Sequence, residues 1–251
     1  FISFSYKKKE ITDKIIKSIK GIVDSEKYVL GDNILNFETN FSNLIESKYS
    51  IGVGSGLDAL IISLKSLGIK KGDEVIVPSN TYIATWLAVS HVGATPVPVE
   101  PDIQTYNINP DLIQEKITSK TKAILPVHLY GQACDMTRII KIAKVNNLSV
   151  IEDNAQAHLS KWKNKYTGTF GDINATSFYP TKNIGAIGEA GAITTQENNL
   201  SKYAKKYRNY GSEIRYHNDI KGMNSRIDEI QAAILNIKLK YIEDMTKERI
   251  K

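Results

Sequence analysis

Three short stretches of this 251-residue chain have residue types and spacing suited to chemistry. In the first, Gly52-Val53-Gly54-Ser55-Gly56-Leu57-Asp58 joins an apolar run to a segment with helical spacing. Glycines let backbone close on a ligand, and a helix start offers unpaired N–H groups at a positive dipole end, so phosphate suits this turn. The same residues also make an ordinary strand-to-helix turn. In the second, Leu148-Ser149-Val150-Ile151-Glu152-Asp153 leads into Asn154-Ala155-Gln156-Ala157-His158. Asp153, just past an apolar run, can hold a protonated ring nitrogen through a charge-assisted hydrogen bond, or can cap the turn that follows. His158 reads as a hydrogen-bonded structural histidine. In the third, Ser177-Phe178-Tyr179-Pro180-Thr181-Lys182-Asn183 precedes Gly185, Gly188 and Gly191. A lysine in such a loop forms a Schiff base if its surroundings lower its pKa. Taken alone, a lysine is usually a surface residue.

Apolar spacing shows what must position these groups. Glu10–Val23 has a one-sided helical pattern, and from about Tyr49 short strands alternate with helices. Strands are predicted at Ile51–Val53, Glu74–Val77, Pro96–Val99, Ala123–Val127, Leu148–Ile151, Ala175–Tyr179 and Ala192–Thr195. Helices are predicted at Leu57–Leu67, Tyr82–Val92, Pro110–Ile117, Met136–Val145, Leu200–Tyr207 and Ile227–Tyr241, with Lys161–Gly171 as a long polar turn. Such alternation implies an α/β fold, a mostly parallel sheet covered by helices on both faces, with ligands beyond the carboxyl ends of the strands. A dinucleotide fold would need an acid at the end of the strand after the glycine turn. Asp73 and Glu74 instead stand at its beginning, which argues against that reading. A phosphate turn, a carboxylate after a later strand, then Ser and Lys five apart after another strand, is the order a pyridoxal phosphate site requires.

The formal net charge is +6, but the lysines are scattered and read as a solvated surface rather than a nucleic-acid face. A single cysteine, Cys134, excludes an internal disulfide and a cysteine-based metal cluster. No signal peptide opens the sequence. Its longest apolar stretch, Tyr82–Val99, is broken by Ser90, His91, Gly93, Pro96 and Pro98, so no membrane span is expected and the setting reads as cytoplasmic. The missing initial Met and the final charged helical pattern suggest a piece of a longer chain. Residues 1–35 read as an N-terminal helical segment, 36–240 as the large domain, and 241–251 as the start of a further, truncated domain.

These stretches resemble the DegT-type nucleotide-sugar aminotransferases, of the aspartate aminotransferase fold (fold type I). Further matching segments are Gly72-Asp73-Glu74-Val75-Ile76-Val77-Pro78, Pro126-Val127-His128-Leu129-Tyr130-Gly131 and Asn224-Ser225-Arg226-Ile227-Asp228-Glu229-Ile230-Gln231-Ala232-Ala233. The wording of Gly56-Leu57-Asp58-Ala59-Leu60 and Ser177-Phe178-Tyr179-Pro180 is similar to the branch that aminates C3 of dTDP-linked 3-keto-6-deoxyhexoses. The resemblance implies pyridoxal 5'-phosphate as cofactor. Lys182 would bind it covalently and later move protons, and Asp153 would keep its ring nitrogen protonated. Gln156 would bond the ring hydroxyl, and Tyr82 would stack on the ring, with Trp86 as an alternative. Gly56, Leu57 and Ser177 would hold the phosphate. Asn224 would reach it from the other subunit of a homodimer, or else cap the last long helix.

The implied reaction is a two-stage exchange in which glutamate leaves its nitrogen on the cofactor and the nucleotide-linked keto sugar takes it. The alternatives are a 4-keto sugar aminotransferase, a sugar dehydratase of the same fold and a non-catalytic regulatory relative. The dehydratases carry histidine where Lys182 stands. The sequence departs from the family pattern at Thr181, at Leu159-Ser160 in place of Gly-Ala, and at Glu189-Ala190 near an expected Asp-Gly.

Overall fold

Each long strand alternates its side chains between two apolar layers, and helices cover both. In the computed structural model, which describes residues 8–250, the chain begins with α1 (Lys8–Ser25) and α2 (Asp32–Ile45). Then follow β1 (Tyr49–Val53), α3 (Gly56–Ser66), β2 (Glu74–Pro78), α4 (Ala84–His91), β3 (Thr95–Val99) and β4 (Thr121–Ile124). Next come α5 (Met136–Val145), β5 (Ser149–Asp153), the short pair β6 (Lys161–Trp162) and β7 (Lys165–Tyr166), β8 (Ile173–Ser177) and β9 (Gly191–Thr195). The described part closes with α6 (Asn198–Tyr207), β10 (Ser212–Ile214), β11 (His217–Asn218), α7 (Glu229–Leu239) and α8 (Ile242–Ile250).

Seven strands form one sheet in the order β1-β9-β8-β5-β4-β2-β3. All neighbours pair in parallel except β9, which runs antiparallel to both β1 and β8. Val75, Val77, Ile151 and Ala175 point to the layer covered by α3, α4 and α6. Ile76, Ile124 and Val150 point to the opposite layer, against Met136, Ile139 and Ala143 of α5. This period-two alternation puts Glu152 on the α5 side and Asp153 on the α3–α4 side. A third cluster joins α2 and α7 to the sheet through Phe37, Phe41 and Phe178. Their rings lie 5.2 to 5.8 Å apart between centroids, two of the three pairs edge-to-face, each pair adding about 0.5–1.5 kcal/mol beyond its buried area. No helix among the described residues is long and apolar enough to cross a membrane.

Several predicted elements differ from those observed. The helix predicted at Pro110–Ile117 is two short 3₁₀ turns, Pro110–Leu112 and Gln114–Lys116, the first capped by Asn109 Oδ1 accepting from Asp111 N at 3.0 Å. The polar turn Lys161–Gly171 contains the β6–β7 hairpin, whose turn residues Lys163 and Asn164 both have positive φ, 47° and 68°, as a type I′ turn needs. The single helix predicted at Ile227–Tyr241 begins at Glu229, capped by Asp228 Oδ1 accepting from Gln231 N at 2.8 Å, and breaks before α8. The capping role open to Asn224 therefore belongs to Asp228.

Helix α2 is absent from the predicted elements, and the segment boundary expected at residue 35 falls inside it. Its buried stripe Ile34, Phe37, Glu38, Phe41, Ser42, Ile45 has helical spacing, but a glutamate and a serine interrupt the apolar pattern. Glu38 is buried because it pairs with Arg208 and accepts from Gly52 N at 2.9 Å.

Candidate active site

A cavity of about 540 Å³ opens beyond the carboxyl ends of the parallel strands, where an open α/β sheet places its ligands. On one side is the turn after β1. Ser55 caps α3, its Oγ accepting from Asp58 N at 3.1 Å, and Gly56 and Leu57 line the cavity. Their amides belong to the first helical turn, where no intrahelical acceptor exists. Gly56 is required by close approach: a Cβ there would stand 2.6 Å from Ser177 Cβ. The glycine therefore lets the turn and Ser177, at the end of β8, meet at one wall. Ser225 joins the outside of this turn to the chain before α7, accepting from Gly54 N at 3.0 Å and donating to Asp58 Oδ2 at 2.7 Å.

Asp153 ends β5 and is almost fully buried. Its Oδ1 accepts from Ala155 N at 3.1 Å and its Oδ2 from Thr85 Oγ1 at 2.9 Å, so it holds the following turn while also lining the cavity. Thr85 Oγ1 lies 2.8 Å from Thr81 Oγ1, extending the chain of hydroxyls to a second lining residue. Burial raises the Asp153 pKa above the usual carboxylate range, while bonds from Ala155 and Thr85 and the Lys182 charge oppose the rise. Lys182 lines the same cavity from the β8–β9 loop, half-buried. Burial lowers its pKa and the Asp153 charge partly offsets this. The two groups that the sequence paired thus share one chamber.

Gln156 lines the cavity and its Oε1 accepts from Tyr130 N at 2.8 Å. That bond fixes the side-chain amide, leaving its NH₂ free to donate elsewhere. Tyr82 also lines the cavity and is 75% exposed, so a planar ligand can cover its ring. Trp86, the alternative to it, instead donates Nε1 to Pro78 O at 3.3 Å and lies outside the lining. Thr181 and Glu189, two of the family departures, stand at the cavity wall, both exposed. Asn224 is exposed and does not line the cavity of this chain.

His158 is buried, its ring 5.4 Å from that of Phe178. Neither ring nitrogen has a hydrogen bond of ordinary length and angle, and the Ser177 backbone is the group near enough to bond the ring weakly. Burial pushes its pKa down to about 3, with the Lys182 charge adding to the fall and the Ser177 backbone opposing it, so it stays neutral. Thr85 escapes a reading of the sequence because a threonine in a predicted helix carries no signal until the fold sets it beside a carboxylate.

Residues 9–251 match the DegT/DnrJ/EryC1/StrS aminotransferase family. The chain belongs to that family. It is 52% identical over 236 residues to the dTDP-3-amino-3,6-dideoxy-alpha-D-galactopyranose transaminase of Aneurinibacillus thermoaerophilus, a match covering 94% of this chain and 65% of that protein. Among solved structures, S. venezuelae DesV in complex with a ketimine intermediate superposes with a TM-score of 0.92 at 44% identity, over 94% of this chain and 64% of that one. NtdA from Bacillus subtilis with bound cofactor PMP gives a TM-score of 0.89 at 38% identity, over 93% and 53%. The chain thus spans about two thirds of its curated relative, at 65%. The family's fold, a mostly parallel α/β sheet of fold type I, is the one observed.

Proposed function

We propose that the whole protein is a pyridoxal phosphate-dependent aminotransferase acting on a nucleotide-linked keto sugar, in amino-sugar biosynthesis. In this reading it moves an amino group from glutamate to C3 of a dTDP-linked 3-keto-6-deoxyhexose, in the cytoplasm and as a homodimer. Residues 36–240 form its cofactor-binding domain, 1–35 a helical lead-in and 241–251 the opening of a further domain. The observation that carries the reading is the shared cavity of Lys182 and Asp153, one amine and one carboxylate at the strand ends. Family membership and a relative named for a dTDP-3-amino sugar support the substrate class.

The residues present fit the cofactor. Asp153 is a buried carboxylate facing the cavity with only a backbone amide and a hydroxyl as donors, so a protonated ring nitrogen would complete its hydrogen bonding and favour its charged form. Gln156, its oxygen held by Tyr130, would donate through its NH₂ to the ring hydroxyl. Tyr82 would stack on the ring. The Gly56 and Leu57 amides and the Ser177 hydroxyl would hold the phosphate, at a helix start suited to an anion. Asn224, exposed beside the Ser225 contact with this turn, would serve the partner subunit's phosphate.

When bound, the cofactor supplies an aldehyde carbon that an amine can join and a ring that draws off electrons. Lys182 Nζ, its pKa lowered by burial, gives up its proton more readily than an exposed lysine, which suits it both to bond to that carbon and to carry protons. Leu60, Val127 and Ala175 make part of the cavity wall apolar.

Product analysis tests the reading: full-length protein, glutamate, and paired dTDP-3-keto and dTDP-4-keto sugars. The 3-amino sugar is expected from a yellow holoprotein. Turnover of the 4-keto compound alone would overturn the C3 assignment, and a protein that takes up no pyridoxal phosphate would end the enzyme reading.

A further inference from the structure

The loop that carries Lys182 is closed on itself. Ala186 N donates to Phe178 O and Phe178 N to Ala190 O, both at 2.8 Å, while Lys182 N donates to Tyr179 O at 2.9 Å. Gly185 packs so tightly that a Cβ there would stand 2.5 Å from Pro180 O. These bonds shape the loop without fixing it against its surroundings.

Ile184 and Ala186 pack into the α2–α7 cluster, and side chains from the last two helices add directional bonds to that packing. Lys238 of α7 donates Nζ to Gly185 O. Gln231, two turns earlier on α7, accepts through Oε1 from Ile187 N at 2.9 Å. Arg249 of α8 donates to Lys182 O at 3.0 Å, Thr181 O at 3.3 Å and Asn183 Oδ1 at 3.2 Å. Lys238 and Gln231 are seven residues apart, so they lie on one helix face about 10 Å apart along its axis. One donates a hydrogen bond to the loop and the other accepts one from it, so sliding the loop along α7 breaks both. Lys238 is half-buried, and burial lowers its pKa. It forms no ion pair among the described residues. A lysine needed only for solubility would keep its ammonium in water. Neither residue lines the cavity.

We propose that Lys238 and Gln231 are positioning residues: from α7 they pin the Gly185–Ile187 backbone and thereby fix where the Lys182 amine stands in the cavity. The significance of that placement rests on the aminotransferase reading, but the pinning does not.

The test uses the full-length protein and the variants Lys238→Met, Gln231→Leu and Lys238→Arg. Amide hydrogen exchange of the ligand-free proteins is read across residues 181–188. Pyridoxal phosphate is then added, and borohydride-trapped adduct on Lys182 is followed in time by mass spectrometry. Losing either pin should speed loop exchange and slow trapping, each about tenfold, the scale of one hydrogen bond to a charged or buried group. Lys238→Arg, which keeps a cationic donor, should recover part of both. Unchanged exchange and trapping in Lys238→Met and Gln231→Leu, with only a lower melting temperature, would overturn the proposal. Faster exchange with unchanged trapping would overturn it as well, since the pin would then not place the amine. If Lys238→Met does not fold, Gln231→Leu decides between these outcomes by the same two measurements. A wild-type protein that traps nothing on Lys182 sinks the aminotransferase reading instead, and the exchange measurement then judges the pin alone.

Discussion

Glu152 and Asp153 are consecutive in sequence and end the same strand, yet their surroundings could hardly differ more. Glu152 is fully buried on the α5 side, with all its acceptor capacity used. Oε2 accepts from His128 Nε2 and Gly168 N, both at 2.8 Å, and Oε1 from Phe170 N at 2.6 Å and Gly171 N at 2.8 Å. His128 Nδ1 accepts in turn from Cys134 N at 3.1 Å, which extends the buried network by one more bond. Asp153, on the cavity side, has two donors and a raised pKa. A saturated buried carboxylate holds a loop, whereas an under-bonded one facing a cavity is ready for a ligand. The contrast separates the two carboxylates better than burial alone.

The comparison can be broken or sharpened by substitution. On the cavity side, Lys182→Ala in the full-length protein should lower transamination at least about 10³-fold with the melting temperature little changed. Turnover above a tenth of wild type would show that the amine is not the reacting group. On the saturated side, Glu152→Ala leaves four buried donors unpaired and should cost roughly 3–5 kcal/mol of stability in urea unfolding. A loss below about 1 kcal/mol would mean the two carboxylates are alike after all.

Asp153→Asn should act in the opposite sense to Glu152→Ala. Burial raises the folded pKa of Asp153, so its charge weakens the ligand-free fold. That cost is absent below the unfolded carboxylate value near about 3.9, grows as pH climbs through the raised folded value, and is complete above it. The ligand-free variant should therefore melt higher than wild type at neutral pH and converge with it near pH ~3, while losing turnover about 10²-fold. A variant that melts lower at neutral pH would contradict this.

Two smaller effects complete the series. Thr85→Val removes one bond to Asp153 Oδ2 and should cut turnover about tenfold, read as a kcat change with little change in KM. Leu159 has φ 62° where the family pattern expects glycine, and it packs partly buried against the α2–α7 cluster. Leu159→Gly relieves the left-handed backbone but gives up that packing, so its net change in unfolding free energy should stay within about 1 kcal/mol.

Much of this is readable in the chain. The spacing of apolar runs specifies the alternating sheet, and Met136–Val145 is predicted with the bounds observed. The places of Gly56, Asp153, Gln156, Ser177 and Lys182 on the cavity wall are legible because each stands at or within a few residues of a strand's end, where topology decides position. What escapes depends on distant pairing. Helix α2 carries Glu38 in its buried stripe, and only the sight of Arg208 makes that acceptable. Thr85, Gln231 and Lys238 act through partners 68, 44 and 53 residues away, and nothing local marks them. The choice between Tyr82 and Trp86 needs the helix's placement, which turns the indole onto Pro78.

Glu229 carries a last implication. This buried acid opens α7, yet it caps α2, accepting from Gly31 N at 2.9 Å, Asn33 N at 3.0 Å and Ile34 N at 3.2 Å. Strand β1, just after α2, likewise finds its one sheet neighbour among the described residues in β9. As the polypeptide leaves the ribosome, the start of α2 therefore lacks its acceptor until residue 229 has been made, about 10–40 s after its own synthesis at usual rates. Helix α2 is thus made well before it can settle, a delay in which a chaperone has its apolar stripe to hold.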